Sequence, residues 1–296
     1  MSVDLRSQKR VKFDFEVEFA NGGGLQGQDF RLDIDGDDIS DAQLADYIVR
    51  DLRLLMVETV HIRSKEIIAE EHKRRSDPLR RLIDLSHTVE NGLITYRGLP
   101  APLVCDFLSR EASRAIYAEG TEFHIGRIDM VANTGTYVDS PFHRFADGAD
   151  LSELELSSLA DLPGMLVRVA GTALRAIDRA AFEAGDARGK AVIVHTGWAK
   201  HWRTDHYFEG HPFLTEEAAL YLRDSSAALV GIDSLNIDDT DDGRRPVHTA
   251  LLGAGIPIVE HLRGLEERPL AGFRFTAVPV KVKGMGTFPV RAFAVL

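Results

Sequence analysis

Cysteine is almost absent. Cys105 is the only one in 296 residues. An intrachain disulfide and a CxxC metal site are therefore excluded, and a reducing compartment is the natural setting. With no suggestive partner nearby in sequence, Cys105 is expected to fill core space as a small buried hydrophobe. Positive charge is also scarce: 35 Lys and Arg stand against 46 Asp and Glu, for a net charge of −11. A nucleic-acid binder needs a basic footprint that this chain lacks. No apolar run approaches the roughly twenty residues that span a bilayer, and the charged N-terminus has no apolar core of signal length. A cytoplasmic protein with no membrane or nucleic-acid partner is the expectation. The glycine run Gly22-Gly23-Gly24 is not followed by GK[ST], so it is no phosphate loop. What remains is ordinary for a globular protein, with 44% apolar and 27% charged residues. The chain is long enough for a large core in one or two domains.

The chain opens on an alternation. Val11, Phe13, Phe15, Val17 and Phe19 fall on one face, with Lys12, Asp14, Glu16 and Glu18 opposite, the pattern of a strand with one buried face. Asn21 to Gly24 make a turn, and a returning strand over 30–34 completes a hairpin. Ser40 or Asp41 caps a helix bearing Leu44, Ile48, Leu52 and Leu55 at helical spacing, and 59–68 is a further strand. Residues 70–81 are charge-rich and contain Pro78, as in a linker or a solvated helix end. Residues 1–75 thus read as a small hairpin–helix–strand appendage with a packing or oligomerisation role.

From Leu82 onward strands alternate with helices and no repeat is visible, which indicates an α/β domain over 82–296. Strands are expected at 83–87, 125–131, 162–169, 191–195, 228–232, 256–260, 273–282 and 290–295. Helices are expected at 173–187, at 216–224 behind a Thr215 cap, and at 246–253. Trp198 and Trp202 share a segment with His201, His206 and His211, whose spacing matches no closed zinc site. It reads as an aromatic loop or the rim through which substrate enters. The acidic stretch 238–242 lacks an EF-hand pattern and reads as solvated. His87 reads as a hydrogen-bonded structural histidine and His124 as a candidate pocket residue.

The stretch Asn133-Thr134-Gly135-Thr136-Tyr137-Val138-Asp139-Ser140-Pro141-Phe142-His143 concentrates the chemistry. Gly135 permits a tight turn or a close approach to a ligand. Pro141 ends any regular strand before it. The segment should sit where the strand over 125–131 opens into a loop, a usual place for working side chains. Asp139 and His143, four apart, could face one reacting centre. A structural Asx turn is the competing reading.

Together with Asp84-Leu85-Ser86-His87, Gly231-Ile232-Asp233, Pro246-Val247-His248, Ile258-Val259-Glu260 and Pro289-Val290-Arg291, this stretch resembles the cyclase family of metal-dependent hydrolases, in the same order from Leu82 to the C-terminus. The resemblance implies an α/β fold, a mixed β-sheet core with surrounding helices like that of kynurenine formamidase and isatin hydrolase. It implies hydrolysis of a small amide, lactam or ester at a C–N or C–O bond, and a homodimer or larger oligomer. The family's central motif reads HxGTHxDxPxH, in which the two leading histidines and the aspartate bind a divalent metal and the last histidine is acid/base. By that pattern Asp139, His248 and Glu260 are metal ligands, and His143 is the general acid/base. Asn133 and Tyr137 stand where the two leading histidines are expected. Losing two imidazoles should weaken zinc binding, and the oxygen-rich remainder suits a harder ion better. The divalent metal is expected to be Mn²⁺ or Zn²⁺, with Asn133 and Tyr137 acting on the substrate. Two alternatives stay open: a metal-free lyase or cyclase, and a catalytically silent relative that binds a small molecule or serves in assembly.

Overall fold

The computed structural model describes residues 9–34, 36–70, 81–172, 174–266, 269 and 271–296. The chain divides into two compact units, Met1–Arg80 and Arg81–Leu296. The linker or helix end expected over 70–81 falls almost wholly outside the described residues.

In the first unit β1 (Lys9–Phe19) lies between β2 (Gly24–Ile34) and β3 (Val57–Ala69), antiparallel to both. The alternation read from the sequence sets its faces. Val11, Phe13, Phe15 and Val17 are buried and pack with Leu44 and Ile48 of α1 (Asp41–Asp51). Ser40 is the N-cap: its hydroxyl accepts the Gln43 N–H, and the Gln43 side chain accepts the Ser40 N–H, a capping box. The helix stops at Asp51, so Leu55, expected on its apolar face, is exposed.

The second unit contains β4 (Leu82–Asp84), β5 (Leu103–Leu108), β6 (Ile125–Asp129), β7 (Tyr137–Asp139), β8 (Leu162–Arg168), β9 (Ala176–Ile177), β10 (Ala191–His195), β11 (Phe213–Leu214), β12 (Leu229–Ile232), β13 (Ile258–Glu260), β14 (Ala271–Thr276), β15 (Thr287–Pro289) and β16 (Phe293–Val295). Its helices are α2 (Arg110–Ser113), α3 (Glu216–Asp224) and α4 (Pro246–Gly253). Nine strands form one mixed sheet in the order β15-β7-β13-β12-β10-β8-β14-β16-β4. The central four are parallel and the flanking strands antiparallel. Successive strand residues face opposite sides. Val192 and Val194 therefore pack with Ala219 and Leu222 of α3 and with Val247 and Leu251 of α4. Ala191 and Ile193 pack into a second core with Val138, Val259 and Phe275. Each fully buried Val, Leu or Phe contributes roughly 1.5–3 kcal/mol.

Several expectations are corrected here. The alanine-rich 173–187 is not a helix: it holds the two-residue β9 and a 3-10 turn at Arg179–Ala181, while Ala173 lies outside the described residues. Asp178 accepts the Ala180 N–H and favours the turn. Ile177 and Phe182 are buried in the core, so tertiary packing overrides alanine's helix propensity. The strand near 125 exists, but it pairs with β5 in a separate two-stranded ribbon rather than entering the main sheet. Both strands of the ribbon are exposed, with Phe107 at 73% and Leu103 at 54%. Cys105 sits on this ribbon, exposed rather than filling a core. Among the described residues no helix is long and apolar enough to cross a membrane.

Candidate active site

Strand β7 is only three residues long, yet it is paired along both edges. Tyr137 lies opposite Glu260 of β13 and Pro289 of β15, and Asp139 lies opposite Ile258 and Thr287. Directly paired residues share one face of a sheet. Tyr137, Asp139, Glu260 and Thr287 thus come to one side, while Val138 and Val259 enter the core behind. Gly135, at φ +67°, turns the chain into this strand, and a Cβ there would meet Val89 at 3.0 Å. Pro141 opens the 3-10 turn Pro141–His143 that brings His143 to the same cavity. Gly286 packs under that turn: a Cβ on it would sit 2.4 Å from the His143 backbone nitrogen.

Helix α4 supplies His248 from its first turn. Asp238 Oδ2 lies 2.6 Å from His248 Nδ1 and accepts the His248 N–H at 3.0 Å, while Oδ1 accepts the Val247 N–H at 2.7 Å. Asp238, expected to be solvated, is fully buried. When His248 is neutral, Nδ1–H donates to Asp238 and the lone pair stays on Nε2. That nitrogen is 3.7 Å from Asp139 Oδ2 and 3.8 Å from Glu260 Oε1. Burial alone would lower the His248 pKa. The carboxylates of Asp139 and Asp238, with the charge of Glu260, outweigh it and hold the imidazole up at about 10. Three carboxylates around one ring make a site that attracts a cation.

Thr287 ties the two halves together. Its hydroxyl donates to Asp139 Oδ1 and lies 2.8 Å from His143 Nδ1. With that proton committed to Asp139, the hydroxyl oxygen accepts from His143 Nδ1–H, and the His143 lone pair is left on Nε2. Asp139 Oδ2 is buried and has no hydrogen-bond partner among the described residues.

The Tyr137 phenol donates to Glu260 Oε2 at 2.6 Å, and Glu260 Oε1 accepts the Ile237 N–H at 2.7 Å. Tyr96 joins through its hydroxyl, 3.2 Å from that of Tyr137. Burial, with Glu260 beside it, raises the Tyr137 pKa well above that of a free phenol. In this arrangement Tyr137 is a hydrogen-bond donor to Glu260. Burial pushes the Glu260 carboxyl up to about 7, His248 offsetting part of the rise.

These groups surround a cavity of about 270 Å³, lined by Asn133, Tyr137, His143, His248, Glu260 and Tyr96 among others. Asp139 is fully buried beside them. The structure thus brings together all six residues singled out in the sequence, although Glu260 stands 121 positions after Asp139 in numbering. Asp238, Thr287 and Tyr96 were missed. Asp238 carried a weak signal, an acid ten residues before His248. Thr287 and Tyr96 carried none. Other candidates lie elsewhere. His124 pairs with Asp106 on the exposed ribbon at 2.8 Å. His201 and His206 pack on each other beside Trp198, ring centroids 4.4 Å apart. His87 stacks on Trp202 at 3.9 Å, and its buried Nε2 has no hydrogen-bond partner among the described residues, contrary to the bonded histidine expected. His211 reaches the site's edge, its Nε2 3.0 Å from the Asp238 carbonyl oxygen.

The Cyclase family model ("Putative cyclase") matches residues 83–239, more than half of the chain. The chain belongs to this family. A kynurenine formamidase of Bacillus cereus is 26% identical over 212 residues, spanning 71% of this chain and 95% of that protein. The structure of a predicted metal-dependent hydrolase from Bacillus stearothermophilus superposes with a TM-score of 0.59 at 27% identity, over 73% of this chain and 98% of the other. Isatin hydrolase A from Ralstonia solanacearum shares the fold, with a TM-score of 0.64 at 19% identity, over 73% of this chain and 92% of that one. The aligned shares leave out about a quarter of this chain, close to the size of its first unit.

Proposed function

We propose that the second unit hydrolyses the C–N bond of a small amide or lactam with the help of a divalent cation. Asp139 Oδ2 carries this reading. A buried carboxylate oxygen without a partner is costly, and a cation beside it removes the cost. His248 Nε2 lies 3.7 Å from that oxygen and 3.8 Å from Glu260 Oε1, and His143 brings a ring nitrogen within 4.8 Å of Asp139 and His248. The donor set fits such an ion, with Asp139, His248 and Glu260 holding it. Mixed imidazole and carboxylate donors suit Mn²⁺ or Zn²⁺. When bound, the ion supplies Lewis acidity toward the substrate carbonyl and eases ionisation of water.

The chain's own groups do the rest. His143 Nε2 takes the proton of the attacking water and returns it to the leaving nitrogen as the C–N bond breaks. Thr287 keeps the opposite nitrogen occupied, so the base stays in the useful tautomer. Tyr137 holds Glu260 in place and, with Asn133, forms the polar wall against which the amide is oriented. The relatives named kynurenine formamidase and the metal-dependent hydrolase structure support this chemistry.

A homo-oligomer, dimer or tetramer, completes the reading. A two-stranded ribbon is marginal by itself, and among the described residues nothing covers the apolar side chains of the β5–β6 ribbon. A second copy would cover them. The first unit takes a packing or oligomerisation role, and a cytoplasmic setting suits the unpaired Cys105.

Metal analysis of the purified protein tests the reading, followed by assays on formylkynurenine, isatin and simple cyclic amides with and without Mn²⁺ or Zn²⁺. A stoichiometric divalent ion is expected, with turnover lost on chelation and regained on metal addition. No metal uptake and no turnover would instead make the chain a silent relative that binds or assembles.

A further inference from the structure

Two residues lining the cavity, Arg144 and Arg245, take no part in the steps above. A guanidinium stays charged throughout the physiological range. Among the described residues neither arginine has a carboxylate within ion-pair distance. Arg144 Nε donates to Thr249 Oγ1 at 3.2 Å, and Arg245 Nη1 donates to the Asp239 carbonyl at 2.7 Å, both neutral acceptors. This is notable because acids outnumber bases 46 to 35. The neighbouring arginines are matched: Arg244 pairs with Asp242 at 2.8 Å and Arg175 with Asp239 at 3.8 Å.

Both cations are fixed relative to the reacting groups. Arg144 follows His143 directly and is tied to α4 through Thr249. Arg245 caps the same helix, three residues before His248, with φ 51° and ψ 60°. A non-glycine residue seldom adopts that left-handed conformation, and such strain gathers at ligand-holding positions. Asn133 lines the same cavity, and its side-chain amide makes no hydrogen bond among the described residues.

We infer that the substrate is an anion: a small amide or lactam that also bears a carboxylate, which Arg144 and Arg245 hold while the scissile carbonyl lies at His143 and His248. The inference rests on the hydrolase reading of this cavity and adds the charge of what enters it. A carboxylate presents acceptor oxygens that guanidinium groups match with paired, charge-assisted bonds. A neutral amide of the same shape leaves both cations solvated and gains nothing from them.

The test compares formanilide with its ortho- and meta-carboxylates as substrates of the full chain in its metal-loaded form. One carboxylate should exceed formanilide in kcat/KM by roughly tenfold or more, the worth of one hydrogen bond to a charged group, with the gain mainly in KM. In the Arg144→Gln/Arg245→Gln double variant the ratio should fall toward one, and Arg245→Lys should keep part of it. A wild-type ratio near one, or a ratio that the double variant leaves intact, overturns the proposal. If Arg245→Gln fails to fold, Arg144→Gln on its exposed residue carries the comparison. If no anilide is turned over, calorimetry with benzoate and benzamide separates the two ideas. Benzoate preference that the arginine variants abolish keeps the anion site, whatever formylkynurenine, isatin and the cyclic amides decide about hydrolysis; equal binding of both overturns the anion site.

Discussion

Replacing Asp238 with Asn perturbs the site through a single oxygen. The carboxylate serves three donors: the Val247 N–H at 2.7 Å, the His248 N–H at 3.0 Å and the His248 ring Nδ1 at 2.6 Å. Asparagine offers one acceptor oxygen and one NH₂. If the NH₂ faces the ring, Nδ1 must accept. The ring proton then moves to Nε2, the nitrogen that faces Asp139 and Glu260, and a protonated nitrogen cannot ligate. If the amide flips, its NH₂ meets the Val247 N–H and a buried donor is orphaned. Either outcome forfeits roughly 1.5–3 kcal/mol, the worth of a hydrogen bond to a charged group. At about 1.4 kcal/mol per decade that is a tenfold to roughly hundredfold loss of metal affinity, the range found for partners of ligating histidines. Titration of Mn²⁺ or Zn²⁺ against a competing chelator reads the Kd directly, and kcat at saturating metal shows how much activity returns. A folded Asp238→Asn protein with wild-type affinity would refute the tautomer reasoning.

Thr287→Val keeps the shape but removes the bridge between Asp139 and His143. We expect kcat to fall by about tenfold to hundredfold, a part of what general-base catalysis supplies, with KM little changed. Steady-state kinetics showing an unchanged kcat would mean that His143 needs no orientation. Asp233 gives a pH signature. Burial raises its carboxyl to about 6, the bonds from Thr196 and Gly197 offsetting only part. The folded state thus binds more protons than the unfolded state between pH about 4 and about 6, and stability falls as pH rises through that window, by at most about 3 kcal/mol. Urea unfolding across pH 4–7 should show the slope in the wild type and its loss in Asp233→Asn; parallel curves would contradict the assignment. Phe107→Asp on the exposed ribbon should reduce the mass measured by light scattering to that of a single chain, and an unchanged mass would remove the ribbon from the subunit contact.

The sequence is most readable where chemistry is local. Asp139 and His143 lie four residues apart, and His248 and Glu260 keep a separation of twelve; that the two pairs meet was expected from the resemblance to the cyclase family, not from spacing. The capping residues Ser40 and Thr215 were legible because their partners lie three residues on. Thr287, Tyr96 and Asp238 were not, because each acts through a tertiary contact that no spacing encodes. Strand β7 was hidden differently. All three residues are buried, so the alternation that betrays a half-buried strand such as β1 is absent. The run at 173–187 shows the opposite failure, where alanine content promised a helix and Ile177 and Phe182 were needed in the core.

Strand β7 also binds two properties of the molecule into one short segment. Val138 packs in the core, and Tyr137 and Asp139 on either side turn to the candidate site. Slippage by a single residue would put a hydrocarbon where the carboxylate belongs and bury the acid among hydrocarbons. Under the proposed function, selection for heat resistance at these three positions is also selection on turnover. A mutant library that randomised them would yield few sequences able to change one without changing the other.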